Sequence, residues 1–299
     1  MPSRRVLVLA IAAILSPAVV PSGRAAEPAV KLPSGINVEE QPTAPDAVKI
    51  VLIAGSSTYK PGEHDYLAGC VTLMNLLRQS PHVVPVLAID WPKKPETLEG
   101  AQAIVMLFDG GDKHALLKDD RLALIEKLAD KEVGIVQLHQ AADYPKKHGD
   151  RVRSLVGGAW EQGYSQRAHW VAKFETFSAE PIFRGVTPFS VDDGWLTRLR
   201  FAPEKKGVTA LLRTVSPKDS KTKESDDGAI VSWLYERPDG ARSFTFTGGH
   251  LHQSFAEEGY RRFLVNGILW TAGVAIPASG APVALNPTDL NTSAPAKPN

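Results

Sequence analysis

The strongest constraint on the fold is a run of apolar residues, interrupted only by Lys49, at residues 48–54 (VKIVLIA). A strand with so little polar alternation is typical of one buried on both faces, as the strands of a parallel sheet are. Similar strand-length runs occupy residues 82–89, 103–108 and 133–138. Apolar residues at helical spacing separate them at residues 67–77 and 121–128. This β-α-β-β-α-β order predicts an α/β fold with a mostly parallel sheet covered by helices.

The second half of the chain is richer in strands. Runs typical of strands occur at residues 208–214, 229–235 and 243–247. The sequence PDG at residues 238–240 favours a turn between the last two of them. Residues 255–272 carry apolar residues at helical spacing and are predicted to close the domain as a helix. The folded unit is therefore predicted to be a single α/β domain at residues 48–276.

The two ends of the chain are predicted to lie outside this domain. Residues 1–25 have the basic, apolar and small-residue order of a secretory signal peptide, and an uncleaved N-terminal anchor is the alternative. Residues 26–47 are rich in proline and polar residues and predict a linker, and residues 277–299 predict a disordered tail. We therefore expect a periplasmic or secreted protein with no membrane span after cleavage.

Charge and cysteine content narrow the choice of partners and of stabilising chemistry. Removing residues 1–25 takes away three arginines and no acidic residue, so the formal charge falls from +1 to −2. Because the sequence also lacks a basic stripe interleaved with aromatic residues, nucleic acid is not an expected partner. Cys70 is the only cysteine, so no internal disulfide can form and the burial of apolar residues must stabilise the fold.

Polar residues directly follow four of the predicted strands. In an open parallel sheet, ligands bind in the crevice at the carboxyl ends of the strands. His64, Asp109, His139 and His250 each lie in such a loop, and we expect them to line one cleft as candidate catalytic residues. Three neighbours in the same loops are candidates for binding substrate: Glu63, Gly110 and Gly111.

Each of the four also has a purely structural interpretation. His64 lies beside Asp65, a residue type that caps helices, and Asp109 precedes two glycines that favour a tight turn. His139 and His250 are the stronger candidates. His139 follows a buried strand directly, where a histidine is seldom exposed to solvent by chance, and His250 follows the last strand after two glycines. His252 is expected to face away from the cleft. Three further histidines lie among surface-like residues and are expected to have no role: His82, His114 and His148.

Two segments combine aromatic and polar residues. Trp170 follows a histidine and is a candidate wall for a sugar-sized ligand, although tryptophans more often pack in a core or a lid. Residues 192–195 (DDGW) predict an acidic turn. The carboxylate of Asp193 is a candidate for binding substrate, for accepting a proton or for ligating a metal, and the alternative is a solvated loop.

Several catalytic motifs are absent from the sequence. It has no G-x-S-x-G elbow, no Walker loop, no G-x-G-x-x-G after the first strand and no H-E-x-x-H. Cys70 lies within the apolar repeat of the first predicted helix, where a small buried thiol is the ordinary outcome. We therefore expect this cysteine to pack in the core and to take no part in nucleophilic catalysis.

The ordered set of these motifs resembles a known family. The segments that carry the resemblance are residues 49–54, 61–64, 109–111, 138–139, 157–158, 169–170, 181–186, 192–195, 248–250 and 266–270. Together they are similar to the ThuA-like (trehalose-utilisation) proteins, and particularly to their exported branch. The resemblance implies a class I glutamine amidotransferase-like fold, a variant of the flavodoxin-like three-layer sandwich. It also implies a role in disaccharide use, beside oxidoreductases that make 3-ketosugars.

The resemblance also bears on the activity. Related glutaminases carry a catalytic cysteine at a strand-to-helix elbow, and His139 occupies the corresponding place here, so glutaminase activity is not expected. The sequence departs from the family pattern at two positions. Glu180 stands where relatives usually have histidine, and Gly194 stands where many have an acidic residue before the tryptophan.

The leading hypothesis is an exported protein that acts on a carbohydrate derivative such as a keto-sugar. Its histidines would exchange protons near neutral pH, as enolisation beside a ketone requires. Alternatively, three histidines and a carboxylate would hold a divalent metal ion that polarises the carbonyl. The rival hypothesis is a non-catalytic carbohydrate- or partner-binding module on the same fold. The sequence determines neither this choice nor the oligomeric state.

Overall fold

The computed structural model describes residues 32–56 and 59–291, which contain eleven strands and four α-helices. The strands are β1 (Val48–Ala54), β2 (Val83–Ile89), β3 (Ala103–Leu107), β4 (Gly134–Leu138), β5 (Gly158–Ala159), β6 (Gln166–Phe174), β7 (Phe189–Thr197), β8 (Arg200–Phe201), β9 (Val208–Arg213), β10 (Ile230–Glu236) and β11 (Arg242–Phe246). The helices are α1 (Tyr66–Leu77), α2 (Arg121–Ala129), α3 (Gly149–Val156) and α4 (Glu258–Thr271).

Seven strands form the central sheet, in the order β2-β1-β3-β4-β11-β10-β9. The first five of these are mutually parallel, and β10 pairs antiparallel with both β11 and β9. The β2-β1-β3-β4 order with its parallel neighbour β11 is the flavodoxin-like arrangement, in which ligands bind beyond the carboxyl ends of the strands. The predicted α/β fold with a mostly parallel sheet is confirmed.

The sheet separates two apolar cores. Successive side chains of a strand point to opposite faces, so Ile50 and Leu52 join the core under α1 and α4, while Val51 and Ile53 join the core under α2 and α3. All four side chains are fully buried. Burial on both faces explains why β1 is apolar almost throughout, and it gives the three-layer sandwich.

The antiparallel pair β6 and β7 was not predicted from the sequence. Residues 192–195, predicted as an acidic turn, lie inside β7, and Asp193 pairs with Trp170 of β6. Burial alternates along β6, where Trp170, Ala172 and Phe174 are buried and the residues between them are exposed. The fully buried Trp195 donates its indole N–H to the carbonyl of Trp170 at 3.0 Å, which ties the pair to the core.

Residues on both sides of the predicted domain pack against it. Val38 forms a bridge with Leu87 of β2, and Ala281 and Val283 are buried in the core beside α4. The hydroxyl of Thr72 donates to the carbonyl of Asp289 at 2.8 Å. The structure therefore differs from the predicted linker at residues 32–47 and from the predicted disordered tail at residues 277–291, because enough apolar side chains lie there to be buried.

The predicted signal peptide at residues 1–25 lies outside the described residues, as do residues 292–299. Among the helices that the structure describes, none is both long enough and apolar enough to cross a membrane.

Candidate functional site: three converging histidines

Three of the four predicted catalytic residues come together at the carboxyl edge of the sheet. His64, His139 and His250 each offer one ring nitrogen, and these three nitrogens lie within 4.8 Å of one another. The ring of His64 lies 4.8 Å from that of His139 and 4.5 Å from that of His250, measured between centroids. The sequence separation of these residues is large, so the convergence comes from the parallel strands that precede them.

The backbone at this site is held in conformations that are uncommon for non-glycine residues. His64 precedes α1 with φ of 49°, and His139 follows β4 directly with φ of 52°. Gly249, which precedes His250, has φ of 107°. Left-handed conformations of this kind cost energy and occur often at functional sites, where the surrounding structure maintains them.

A hydrogen-bonded chain determines which nitrogen of His64 carries the proton. The Tyr66 hydroxyl donates to Oδ1 of Asp109 at 2.6 Å and lies 2.7 Å from Nδ1 of His64. Since the tyrosine proton is committed to Asp109, Nδ1 of His64 must carry a proton and donate it to the tyrosine oxygen. Nε2 of His64 is then the nitrogen with a free lone pair. Asp109 thus fixes the tautomer of His64 through the Tyr66 hydroxyl.

His139 has the same tautomer for a different reason. Its Nδ1 lies 2.9 Å from the carbonyl oxygen of Thr247, an oxygen that can only accept, so Nδ1 carries the proton. Its Nε2 is buried and has no hydrogen-bond partner among the described residues. Buried polar atoms are nearly always satisfied, so this unpaired lone pair needs an explanation. The sequence did not indicate Tyr66 or Thr247, although both lie within two or three residues of a candidate histidine.

Burial keeps all three imidazoles neutral at physiological pH. It lowers the pKa of His64 to about 3, with smaller contributions from the charges of His250 and Arg167. The pKa of His139 lies well below its usual value, because of burial first and the nearby His64 second. Burial also lowers the pKa of His250, while the carboxylate of Glu63 opposes that shift. Neutral imidazole is the form that binds metal ions.

Asp193 was predicted to contact substrate, but it has no exposed surface. Its carboxylate lies beneath the loop that carries His250 and accepts hydrogen bonds from the backbone of that loop. Gly194 beside it makes room for the histidine, because a Cβ there would lie 2.9 Å from Cβ of His250. Asp192 is exposed and pairs with His169 at 2.9 Å.

Trp170 is also displaced from the predicted cleft. Its ring is buried, with its indole N–H donating to the Thr214 hydroxyl at 3.0 Å. It lines a polar cleft of about 520 Å³ that includes none of the three clustered histidines. In a strand, neighbouring residues face opposite sides, so His169 and Trp170 cannot both face the histidine cluster.

The remaining predicted residues shape the rim. Glu63 pairs through its backbone with Leu251, which joins the loops of His64 and His250. Gly110 is required for close packing, because a Cβ there would lie 2.4 Å from the carbonyl oxygen of Gln140. Gly111 has φ of 60° and donates its N–H to the carbonyl of Asp143. The two glycines therefore bring the loop after β3 against the segment after β4.

Two residues that the sequence did not indicate complete the surroundings. The ring of Tyr59 stacks on His64, with 3.9 Å between centroids. Arg167 donates to Asp143 at 3.1 Å, and its charge contributes to the lowered pKa of His64 and of His139.

The residues predicted to have no role lie away from the cluster. Cys70 is completely buried in α1, and burial raises the pKa of its thiol. His252 lies near the carbonyl of Asp289 at 2.8 Å, facing away from the cluster as predicted. His114 was predicted to be at the surface and is instead buried, with Nε2 3.0 Å from the carbonyl of Ala141. The surface prediction failed because apolar residues of distant segments cover that loop.

The chain is similar to known proteins in sequence and in structure. The ThuA family, described as trehalose utilisation, matches residues 49–271. A ThuA-like protein from Bacteroides uniformis has a similar structure, with a TM-score of 0.58 and 19% sequence identity over 78% of this chain and 94% of that one. A glutamine amidotransferase from Thermotoga maritima aligns with a TM-score of 0.42 and 13% identity over 75% of this chain and 96% of that one.

No curated protein matches the sequence. The family match nevertheless spans most of the chain and almost the whole of its sheet. The chain therefore belongs to the ThuA family of trehalose-utilisation proteins.

Proposed function

We propose that this protein is an exported sugar-processing enzyme whose three clustered histidines bind a divalent metal ion. The observation that carries the proposal is the pair of Nε2 lone pairs on His64 and His139. One ring nitrogen of each of these histidines and of His250 lies within 4.8 Å of the other two, and Nε2 of His139 is buried with no hydrogen-bond partner among the described residues. Leaving such an atom unsatisfied costs about 1–3 kcal/mol, and ligation of a metal ion would remove that cost.

The donor set fits a metal ion such as Zn²⁺. Two imidazole nitrogens on one tetrahedral zinc are about 3.4 Å apart, from bond lengths of about 2.0–2.1 Å. The three nitrogens here are separated by at most 4.8 Å, so small movements of the side chains would close the set. Zinc-binding histidines commonly donate their other N–H to a neighbouring oxygen, which fixes the orientation of the ring. The acceptor is the carbonyl oxygen of Thr247 for His139 and the hydroxyl oxygen of Tyr66 for His64.

Metal binding accounts for the histidines better than acid–base catalysis alone. A general base works best when its pKa lies near the working pH, and a pKa of about 3 makes His64 a weak base at pH 7. The same lowered pKa favours ligation, because no proton has to be released first. Three protein ligands with an open position are typical of catalytic zinc sites, where the metal polarises a substrate oxygen.

The substrate class follows from the family. A role in trehalose utilisation supports a disaccharide or a keto-sugar derived from one as the ligand. Hydrolysis of glutamine is not part of the proposal, because the only cysteine is buried in α1 and its thiol is held neutral.

The test starts with protein stripped by a chelator. We expect wild type to bind one equivalent of Zn²⁺, measured by competition with a chromophoric chelator, and His139→Ala and His250→Ala to lose that binding. His82→Ala is the matched control, because His82 is exposed and lies outside the cluster. Wild type that binds no zinc, or cluster variants that bind it as well as wild type, would contradict the proposal.

The zinc-loaded protein is then screened against disaccharides and 3-ketosugars. Turnover that is lost in His139→Ala would support the enzyme. Saturable sugar binding without turnover would leave only the binding-module alternative.

A further inference from the structure

Asp193 is a carboxylate in an unusual environment. It is 0% exposed, and no salt bridge of the described residues includes it. Burial raises its pKa to about 6, while hydrogen bonds from backbone N–H groups act in the opposite direction. Placing an acidic group in an apolar interior is costly unless hydrogen bonds compensate. A residue that merely continued strand β7 would not need this side chain.

Five neutral donors surround the carboxylate. Three consecutive backbone N–H groups donate to it, from Gly249 at 2.9 Å, His250 at 2.8 Å and Leu251 at 3.3 Å. The N–H of Gly194 donates at 2.8 Å and the Ser254 hydroxyl at 3.2 Å. Successive N–H groups can converge on one anion only when the backbone bends around it, and Gly249 with φ of 107° supplies that bend.

The backbone that Asp193 holds is also connected to a second histidine. The carbonyl of His250 accepts a hydrogen bond from the N–H of His64 at 2.8 Å, and the N–H of His252 donates to the carbonyl of Gly62 at 2.9 Å. The loops at residues 62–64 and 250–252 therefore form one paired unit. The carboxylate lies at the base of this unit.

We infer that Asp193 is a positioning residue that fixes the backbone of His250, and through it that of His64, in the geometry that binds the metal ion. This inference rests on the proposed function, because it concerns the same three ligands. Gly194 complements it, since any side chain there would collide with His250. In the sequence, residues 192–195 look like a solvated acidic turn. In the structure, Asp193 holds the backbone of His250, and Gly194 leaves space for the side chain of that histidine.

The test compares Asp193→Asn with Asp192→Asn. Both variants remove one negative charge from the same strand, but Asp192 is exposed and pairs with His169, whereas Asp193 accepts hydrogen bonds from the backbone of residues 249–251. In Asp193→Asn an amide N–H₂ group faces backbone donors, so the loop must move. We expect the Kd for Zn²⁺ to rise by about 10- to 100-fold, as for other residues that orient metal ligands. In Asp192→Asn the Kd should stay within about twofold of wild type.

A purely structural role is separated from positioning by a second control. Leu269→Ala removes a fully buried side chain of α4 and should lower stability without changing the Kd for Zn²⁺. The visible spectrum of Co²⁺ bound in place of Zn²⁺ reports ligand geometry directly, and it should change in Asp193→Asn but not in Leu269→Ala. Equal Kd values and spectra in wild type and Asp193→Asn would overturn the inference.

The remaining outcomes are also decisive. If wild type binds no zinc, the proposed function fails and the inference fails with it. If Asp193→Asn does not fold, Ser254→Ala serves instead, because it removes one donor and leaves the carboxylate in place. It should raise the Kd for Zn²⁺ a few-fold, and a Kd identical to that of wild type would overturn the inference.

Discussion

The lowered pKa of His64 makes a quantitative prediction about stability and pH. In the unfolded chain a histidine titrates near pH 6.5, and in the folded protein the pKa of His64 is about 3. Between these two values the unfolded state holds one more proton at this residue than the folded state. The free energy of unfolding therefore falls as the pH falls, by about 1.4 kcal/mol per pH unit for this one group. The contribution is fully present above pH 6.5 and is lost progressively down to about pH 3.

His64→Gln removes this titration and leaves the other groups in place. Between pH 7 and pH 5, wild type should lose about 2 kcal/mol more of its free energy of unfolding than the variant does. The measured quantity must be the difference between wild type and variant at each pH. The pKa values of Asp143 and Asp193 are both raised to about 6, so these two groups make the free energy of unfolding change with pH in the opposite direction in both proteins. Urea unfolding at pH 7, 6 and 5 provides the measurement.

His114→Gln is the matched control. Burial lowers the pKa of His114 to about 3 as well, so this variant should show the same reduced dependence on pH. His114 lies outside the cluster, and zinc should therefore stabilise His114→Gln at pH 7 as much as wild type. Zinc should not stabilise His64→Gln. A pH dependence of His64→Gln equal to that of wild type would refute the assignment of His64 as a buried, neutral imidazole.

Three further predictions concern residues outside the cluster. Cys70→Ser places a hydroxyl in the core and should cost about 1–3 kcal/mol in urea unfolding, with an unchanged Kd for Zn²⁺ and no ammonia released from glutamine. A selective loss of zinc binding would give Cys70 a role. Trp170→Phe removes the hydrogen bond to Thr214 and should lower the free energy of unfolding by about 1 kcal/mol without changing the Kd for Zn²⁺. Weaker zinc binding in this variant would show that Trp170 contributes to the site. The mature protein should lack residues 1–25 by intact mass, and a mass that includes them would contradict export with cleavage.

The central sheet could be predicted because its strands are buried on both faces. A strand such as β1 is apolar almost throughout, and such a run is visible without knowledge of its neighbours. The pair β6 and β7 carries a weaker signal, since its exposed residues are polar and charged and its buried ones depend on contacts made far away in sequence. Aspartate and glycine inside β7 are poor strand formers, so their presence favoured a turn.

The packed ends of the chain were missed for a similar reason. Residues 32–47 and 277–291 are rich in proline and polar residues and have no periodicity, so their composition predicts a linker and a disordered tail. A few side chains, such as Ile36 and Val283, are nevertheless buried against the domain. Their contacts lie with residues far along the chain, and a local pattern does not contain that information.

At the site, the positions of the histidines can be predicted from local sequence patterns, but the groups that orient them cannot. The parallel sheet requires that loops after β1, β4 and β11 meet, so histidines in these loops can be expected to converge once the strands are recognised. The groups that orient them follow no such rule. Tyr66 and Thr247 contact a histidine through one hydrogen bond each, and Asp193 lies on a strand that, among the described strands, pairs only with β6. Such partners depend on distances between elements, which is why the sequence points to a carboxylate that meets substrate and the structure places it beneath the loop of His250.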